Sequence, residues 1–294
     1  MIEYNRKRDT LIFLHIQKAA GSTFNKILDS QYKKQDVIST RLIVRGKYGD
    51  NWVRHTTVER EGVAKRTVAN MSSADKSKIK VLKGHFEFGW HELFPNDCVY
   101  ITFLRDPVKR IVSQFDYINR LNNHHIAERI KKDNISLSQF VEQGISLVTD
   151  NGMTRRLAGL SDEVGFKEYD DSILDKAIDN IENHFCFVGL SEHFDESILL
   201  LKEKLQWNKS PIYLRKNVTK KKQKSKVPDE STIKVIKEHN QLDLKLYEYV
   251  RTKFLDDLDH IDNQFVRRLE KFKKRNGAYQ NIYSTLHPVY SFFK

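Results

Sequence analysis

The sequence has little cysteine and no long hydrophobic segment. Its 294 residues include two cysteines, Cys98 and Cys186, and both stand in apolar runs of strand length. That setting favours two buried thiols, although a single disulfide stays open. No run reaches the length of a transmembrane helix, and the polar residues 1–8 do not resemble a signal peptide. We therefore expect a cytoplasmic protein.

Acidic residues are fewer than basic ones. Lysine and arginine together number 51, against 39 aspartates and glutamates, which gives a formal net charge of +12. A basic protein attracts polyanions, so a sulfated or uronate-rich glycan, a nucleic acid or an anionic membrane all suit this composition. The length fits one large α/β domain, with or without a small appendage, and is ample for a hydrophobic core.

Residues 11–24, LIFLHIQKAAGSTF, carry the strongest local signal in the chain. Leu11–Ile16 is an apolar run of strand length, a loop of small residues follows it, and a helix is predicted to begin at Ser22. Such a loop presents unpaired backbone N–H groups and the positive end of the helix dipole, which together bind phosphate. Lys18 adds a cation, and Ser22 and Thr23 add hydroxyl donors.

The order of these residues differs from the Walker A loop of ATP-binding proteins. In that loop the lysine follows the last glycine, and another glycine lies five residues before it. Here Lys18 precedes Gly21, and residues 17–20 contain no glycine. The segment therefore predicts an anion-binding loop for a ligand other than ATP.

A second strand–helix junction lies further along the chain. Cys98–Leu104 is a buried-strand pattern, and Asp106 followed by Pro107 predicts a capped helix start. Arg105 then lies at the carboxyl end of a strand, where open α/β sheets bind their ligands. Ser113, about two turns into the helix, can reach back toward the same space. An arginine fork with a hydroxyl suits a terminal phosphate.

The pair HIQKAAGSTF and FLRDPVKRIVSQF resembles the two phosphate-binding motifs of the sulfotransferases that use 3′-phosphoadenosine 5′-phosphosulfate (PAPS). Within that superfamily the chain is most similar to the polysaccharide sulfotransferases of the heparan sulfate 6-O and 2-O type. The resemblance runs to about residue 258 in the family's order and includes four further segments: 84–89, 151–158, 187–194 and 242–249.

The resemblance implies both a fold and an activity. The fold would be α/β and P-loop-like, with a central, mostly parallel sheet flanked by helices in three layers. The activity would be transfer of the sulfuryl group from PAPS to a hydroxyl of a glycan, with release of 3′-phosphoadenosine 5′-phosphate (PAP). The acceptor would be an anionic or uronate-containing glycan, and no nucleic acid would bind. No metal is expected, because no acidic Mg²⁺-holding motif accompanies the loop.

The resemblance also assigns roles to individual residues. His85 would be the general base, with His91 and Glu87 as alternatives in the same loop, and Lys18 would stabilise charge on the leaving phosphate. A histidine suits the first role because its pKa lies near neutrality. The other roles are contact with the 5′-phosphosulfate by Ala20, Gly21, Ser22 and Thr23, contact with the 3′-phosphate by Arg105 and Ser113, and contact with cofactor or acceptor by Thr154, Arg155 and Lys220.

Hydrophobic periodicity predicts the remaining elements. Further strands are expected at Lys80–Gly84 and Phe185–Leu190, and helices at 106–122, 171–183, 192–205 and 229–258. The polar region 29–78 is expected to hold acceptor-binding loops and an edge strand at Arg41–Arg45.

The sequence divides into a sulfotransferase domain, residues 1–263, and a basic, aromatic extension, residues 264–294. Packing on the domain is the plainest role for that extension, with peripheral membrane contact and pairing of protomers as alternatives. Two other classes of protein also stay open, a P-loop-type kinase and a non-catalytic, basic nucleic-acid-binding protein.

Overall fold

A computed structural model of the chain describes residues 2–49, 55–122, 124–160, 162–214 and 227–290. Five parallel strands form one sheet in this part of the chain, in the order β2-β3-β1-β4-β5. Their bounds are β1 (Thr10–Leu14), β2 (Val37–Ser39), β3 (Val81–Gly84), β4 (Cys98–Leu104) and β5 (Phe185–Leu190).

Helices flank the sheet, so the α/β fold class expected from the sequence is confirmed. They are α1 (Gly21–Gln31), α2 (Thr40–Tyr48), α3 (Thr57–Ala69), α4 (Ser73–Lys78), α5 (Pro107–Asn119), α6 (His125–Lys132), α7 (Leu137–Glu142), α8 (Gly152–Leu157), α9 (Ile173–His184), α10 (Phe194–Lys204), α11 (Glu230–Glu238), α12 (Gln241–Asp259) and α13 (Asn263–Tyr290).

The central strand explains why the sheet forms. Every residue of β1 is buried, which is expected of a parallel strand covered on both faces. In the sheet register, Leu11 is opposite Val81 of β3 on one side and Val99 of β4 on the other. Since all strands are parallel, the carboxyl ends of β3, β1 and β4 lie side by side at one edge.

The edge strand predicted at Arg41–Arg45 is wrong, because that segment lies in α2. In a strand, Leu42 and Val44 would share one face. The structure exposes 65% of Leu42 but only 4% of Val44, and a helix is the arrangement that separates the two side chains. The edge strand is instead β2, and α2, α3 and α4 occupy much of the region where loops were expected.

The single helix predicted over 229–258 is two helices, α11 and α12, which are separated at Asn240. The Asn240 side chain is fully buried. Its amide group donates to the carbonyls of Ile236, at 2.8 Å, and Thr149, at 2.9 Å. A buried amide with its hydrogen bonds satisfied in this way stabilises the turn between the helices.

The C-terminal extension packs on the rest of the molecule over its first half. Phe272 of α13 is 5% exposed and belongs to the main hydrophobic core. The Asn276 side chain accepts a hydrogen bond from the backbone N–H of Tyr213 at 2.9 Å, and Lys273 pairs with Glu196 at 2.6 Å. Among the described helices, none combines the length and the apolar character that a membrane crossing requires.

Candidate active site

Three neighbouring strand ends bring the predicted site residues to one edge of the sheet. His85 follows β3 directly, the loop with Lys18 follows β1, and Arg105 follows β4. In the strand order, β1 lies between β3 and β4. The predicted base therefore lies on one side of the predicted phosphate-binding loop, and Arg105, the predicted contact of the second phosphate, lies on the other.

The loop between β1 and α1 has an unusual backbone. Lys18 and Ala20 both have left-handed conformations, with φ of 65° and 60°. A left-handed residue other than glycine costs about 1–2 kcal/mol, and such strain is concentrated at functional sites. No side chain caps α1, its first turn has no acidic residue, and the N–H groups of Gly21 and Ser22 meet no acceptor among the described residues. These amides remain available to an anion.

Gly21 is required by a close approach to His15. A Cβ atom at this position would lie 1.9 Å from Nε2 of the His15 ring, well inside van der Waals contact. The His15 side chain is buried, and its Nδ1 accepts a hydrogen bond from the Asn25 amide at 3.3 Å. Burial is the largest of the effects that lower the pKa of His15 well below its usual value, so this ring is neutral.

Lys18 is a cation held without a carboxylate. Its Nζ lies 4.3 Å from the centre of the Tyr117 ring, and no described acidic group approaches within 4.0 Å. Burial lowers the pKa of Lys18 to about 8, with the charges of Arg120 and Arg105 acting in the same direction. The charge of Asp116 opposes this shift, but no described carboxylate forms a close ion pair with Lys18, and such an ammonium favours the binding of an anion.

The junction between β4 and α5 is capped, in contrast to the first junction. The Asp106 carboxylate accepts a hydrogen bond from the Lys109 N–H at 2.8 Å, and Pro107 is the first helical residue, as predicted. Arg105 Nη1 donates to the carbonyl of Lys18 at 3.0 Å, which joins the two junctions directly. Ser113 lies half-buried about two turns along α5.

His85 is oriented by its neighbour strand. Its Nδ1 lies 2.7 Å from the His15 carbonyl oxygen, which only accepts, so Nδ1 carries the proton and Nε2 keeps a free lone pair. The ring also stacks on His15, with 4.0 Å between centroids. Burial lowers the pKa of His85 to about 4, the bond to His15 opposes this, and the charge of Arg156 adds to it. The residue remains open to solvent, which offsets part of the shift.

The two alternative bases are engaged elsewhere. His91 is bonded to the hydroxyl of Tyr100 through both its backbone N–H, at 2.9 Å, and its Nδ1, at 3.0 Å. Glu87 is 8% exposed and pairs with Lys65 at 3.4 Å and with Arg156 at 3.9 Å. A carboxylate paired with two cations is a poor proton acceptor. His85 therefore remains the candidate base.

Thr154 and Arg155 are buried within the protein. Thr154 donates to Asp243 through its hydroxyl, at 2.9 Å, and its N–H, at 2.8 Å. Arg155 pairs with Asp150 at 3.2 Å and is 2% exposed. These bonds attach α8 to its surroundings, and a direct contact with cofactor or acceptor stays a prediction. Lys220 lies outside the described residues.

Arg156 lies beside the candidate site, and the sequence patterns did not single it out. It is 4% exposed and pairs with Glu61 at 3.0 Å and Asp162 at 2.7 Å. Its carbonyl accepts the N–H of Phe88 at 2.8 Å, which attaches α8 to the loop that carries His85. The sequence signal was the arginine pair at positions 155 and 156, but nothing in one chain indicated which partners Arg156 would meet.

A cavity of about 240 Å³ opens beside this network. Gln17, the neighbour of Lys18, lines one wall, and Arg155 and Arg156 line another. Aliphatic side chains complete it: Val58, Ile126, Ile145, Leu147 and Val148. The cavity wall thus includes one residue of the loop between β1 and α1, and Arg156, whose carbonyl is bonded to Phe88 of the His85 loop. Among the described residues, no cluster of three histidine, cysteine or acidic side chains has the arrangement of a metal site.

Taken together, the sheet and its two junctions define an α/β protein with paired candidate sites for anionic groups. The sequence model of the galactose-3-O-sulfotransferase family matches residues 3–282. The chain belongs to that family, and its resemblance to the carbohydrate sulfotransferases is confirmed. This assignment favours the sulfotransferase interpretation over a P-loop-type kinase or a nucleic-acid-binding protein.

Individual relatives are distant in sequence. Galactose-3-O-sulfotransferase 3 of Bos taurus is 25% identical over 262 residues, which is 84% of this chain and 57% of that protein. Heparan-sulfate 6-O-sulfotransferase 1 of Cricetulus griseus is 24% identical over 300 residues, which is 91% of this chain and 71% of that protein. The chain thus spans little more than half the length of the bovine relative.

A solved structure with a remote likeness is that of a mouse sulfotransferase complexed with PAP. It has a TM-score of 0.38 and 11% sequence identity, and the match covers 83% of this chain and 68% of that one. At this distance the likeness adds nothing to the assignment of the site.

Proposed function

We propose that the protein transfers the sulfuryl group of PAPS to a hydroxyl of a glycan and releases PAP. The observation that carries this proposal is the bond from Arg105 Nη1 to the carbonyl of Lys18, at 3.0 Å. It joins an uncapped helix start to a second junction that bears an arginine. A ligand that spans both needs two separated anionic groups, as PAPS has in its 5′-phosphosulfate and 3′-phosphate.

The residues at the first junction suit the 5′-phosphosulfate. The N–H groups of Gly21 and Ser22 have no acceptor among the described residues, and Lys18 has no carboxylate partner there. The hydroxyls of Ser22 and Thr23 stand in the first turn of α1. All of these groups would face an anion at the positive end of the helix dipole.

The residues at the second junction suit a 3′-phosphate in a different way. The Asp106 side chain already caps α5, so the backbone amides at the start of that helix would not be the main hydrogen-bond donors to a phosphate. Arg105 supplies the charge, and no described acidic group lies within ion-pair distance of its guanidinium. Ser113 adds a hydroxyl on the same helix.

Bound PAPS supplies an electrophilic sulfur and a stable leaving phosphate. His85 would take the proton of the attacking hydroxyl at Nε2, because its Nδ1 proton is held by the His15 carbonyl. Its lowered pKa keeps the ring neutral at pH 7, which is the form a base requires. Lys18 and the amides of α1 would offset negative charge on the leaving phosphate.

The acceptor is proposed to be a glycan. The names of two relatives state activity on galactose and on heparan sulfate. The net charge of +12 supports a glycan that carries negative charge somewhere along its length. The identity of the glycan and of the hydroxyl is not part of the proposal.

The experiment has a binding arm and a transfer arm. Thermal unfolding is followed with PAP, with ATP and Mg²⁺, and with a single-stranded oligonucleotide, because a ligand that binds only the folded state raises the melting temperature. Radiolabelled sulfate transfer from PAPS is then measured with a panel of glycans, with and without EDTA. We expect stabilisation by PAP alone and transfer to at least one glycan. Stabilisation by ATP with Mg²⁺ but not by PAP would contradict the proposal.

A further inference from the structure

We propose that the outward face of α13 binds the surface of a lipid bilayer that carries negative charge. Four exposed cations define this face, called here the basic face: Arg267, Lys271, Lys274 and Arg275. They recur at spacings of three or four residues, so they lie on one side of the helix. This surface lies outside the candidate active site and is independent of the proposed function.

The opposite side of α13 is held against the rest of the protein. Phe265, Phe272 and Asn276 lie on that side, and each is exposed by 5% or less. Lys274 is nine residues after Phe265, which is half a helical turn out of phase with it. The packing of α13 therefore turns the basic face toward solvent.

The cations of the basic face lack acidic partners. Arg268 and Lys273, at the sides of the helix, pair with Glu203 and Glu196 of α10 at 3.0 Å and 2.6 Å. The four cations of the basic face form no ion pair with a residue that the structure describes. Residues 263–283 hold six basic residues and one acidic residue, Glu270. Their positive charge is therefore available to an anionic surface.

The end of the same helix exposes apolar side chains. Of the seven exposed large hydrophobic residues in the described part of the chain, α13 holds four: Val266, Tyr279, Ile282 and Tyr283. Single exposed residues of this kind are normal, but a group of them marks an interaction surface. Ile282, which is 59% exposed, follows Arg275 by seven residues and so continues the basic face.

The combination of cations and apolar side chains favours a lipid surface. Anionic headgroups attract the cations, and the boundary between headgroups and acyl chains takes up side chains such as Ile282. A soluble polyanion would meet the cations but offer nothing to an aliphatic side chain. A second copy of α13 would bring two sets of like charges together, which is unfavourable.

The direction of α13 places this surface on the side of the candidate active site. Helix α10 follows β5 and therefore begins at the carboxyl edge of the sheet. Lys273 pairs with Glu196 near the start of α10, and Arg268 pairs with Glu203 near its end. Helix α13 thus runs antiparallel to α10, and its apolar end extends toward the edge that bears the site.

Vesicle sedimentation tests the proposal. The full chain is mixed with vesicles of phosphatidylcholine alone, or with vesicles of phosphatidylcholine and phosphatidylglycerol in equal parts. We expect binding to the anionic vesicles to be at least about tenfold tighter, and this difference to disappear as salt reduces the Debye length from about 10 Å to about 3 Å. Equal binding to both kinds of vesicle, or binding to neither, would overturn the proposal.

Variants of α13 locate the contact. Joint replacement of Lys274 and Arg275 by alanine should weaken binding to the anionic vesicles by about fivefold for each cation removed. Ile282→Ser should weaken it by about tenfold, since an apolar contact is lost. Joint replacement of Lys131 and Lys132 by alanine, an exposed pair at the end of α6, is the matched control and should bind like the wild type. Equal losses in the two double variants would contradict a specific face.

Other occupants of the basic face give different results. Dextran sulfate or a single-stranded oligonucleotide that binds through Lys274 and Arg275, with no sedimentation by either vesicle, would replace the bilayer by a soluble polyanion. A mass of two chains in light scattering, which Ile282→Ser returns to that of one chain, would show instead that the face pairs two copies. None of these measurements uses sulfate transfer, so a failure of the proposed function would leave them unaffected.

Discussion

The two strand–helix junctions of this protein are alike in topology but differ in the groups that they would present to an anion. At the first, α1 begins without a capping side chain, and two residues with left-handed backbone, Lys18 and Ala20, turn the chain into the helix. At the second, Asp106 and Pro107 complete the start of α5. The first junction therefore offers backbone amides, and the second offers the side chain of Arg105.

The two junctions should therefore be sensitive to different kinds of substitution. A site made of amides is damaged by changes that alter backbone shape, and a site made of a guanidinium is damaged by removing that one group. Neither junction includes the proposed proton acceptor, His85, which follows a third strand, β3. We therefore expect substitutions at the two junctions to weaken cofactor binding, and substitution of His85 to slow turnover.

The largest effect is expected at His85. His85→Ala removes the proposed base and no proposed phosphate contact, so kcat should fall by about 10²–10⁴ while the affinity for PAP persists. Calorimetry and steady-state rates measure the two quantities, with His260→Ala, an exposed histidine, as the control. Near-normal turnover in His85→Ala, with loss in His91→Ala, would move the base to another residue of that loop.

The same residue sets the pH dependence. Because burial lowers the pKa of His85 toward about 4, the neutral, active form persists as the pH falls below 6.5. The acidic limb of the kcat/KM profile, which reports the free enzyme, should therefore lie between pH 4 and pH 6.5 and be absent from the residual activity of His85→Ala. A limb above pH 6.5 in the wild type would indicate that His85 is not shifted in this direction.

The next largest effect is expected at the second junction, which offers the side chain of Arg105. Arg105→Ala should weaken PAP binding by about 2–4 kcal/mol, the value of a desolvated charged hydrogen bond. Adenosine 5′-phosphosulfate lacks the 3′-phosphate, so its affinity should fall less in Arg105→Ala. Any fall would arise from the lost bond between Arg105 and the Lys18 carbonyl. Unchanged PAP affinity would remove Arg105 from the site.

A smaller effect is expected at the first junction, which offers backbone amides. In Gly21→Ala the new Cβ would overlap the His15 ring, so unfolding free energy should fall by about 1–3 kcal/mol and PAP affinity should fall with it. Gly46→Ala is the matched control, because a Cβ there meets nothing within 4 Å and α2 gains up to about 1 kcal/mol. Equal unfolding free energies and equal PAP affinities for the two variants would contradict the close approach of Gly21 to His15.

The smallest effect concerns Lys18. Its pKa of about 8 means that the free protein loses this charge as the pH rises through 8. Since an anion binds the protonated lysine better, PAP affinity should fall about tenfold between pH 7 and pH 9. Lys18→Arg, which stays charged, should show no such fall. A pH-independent wild type would separate Lys18 from the phosphate.

Sequence patterns predicted these strands because most of their residues are apolar, as in TLIFL of β1 and CVYITFL of β4. β4 and β5 begin and end where expected, and β1 ends two residues early, at Leu14. Asp106 and Pro107 marked the start of α5 through local capping chemistry.

What the sequence did not predict depends on contacts between distant residues. Arg156 meets Glu61 of α3, 95 positions away in the chain, and Thr154 meets Asp243 of α12, 89 positions away. Helix α2 was mistaken for a strand because its branched residues, such as Ile43 and Val44, favour strands, and packing overrides that preference. The cavity could not be predicted, since its walls come from six separate segments.

We expect one ligand to engage both junctions through two phosphates, and calorimetry measures this directly. PAP, adenosine 5′-phosphate and adenosine 3′-phosphate are titrated into the wild-type protein and into Arg105→Ala. We expect the wild type to bind PAP at least about a hundredfold more tightly than either monophosphate, and Arg105→Ala to bind PAP no more tightly than it binds adenosine 5′-phosphate. Equal affinity of the wild type for PAP and adenosine 5′-phosphate would contradict it.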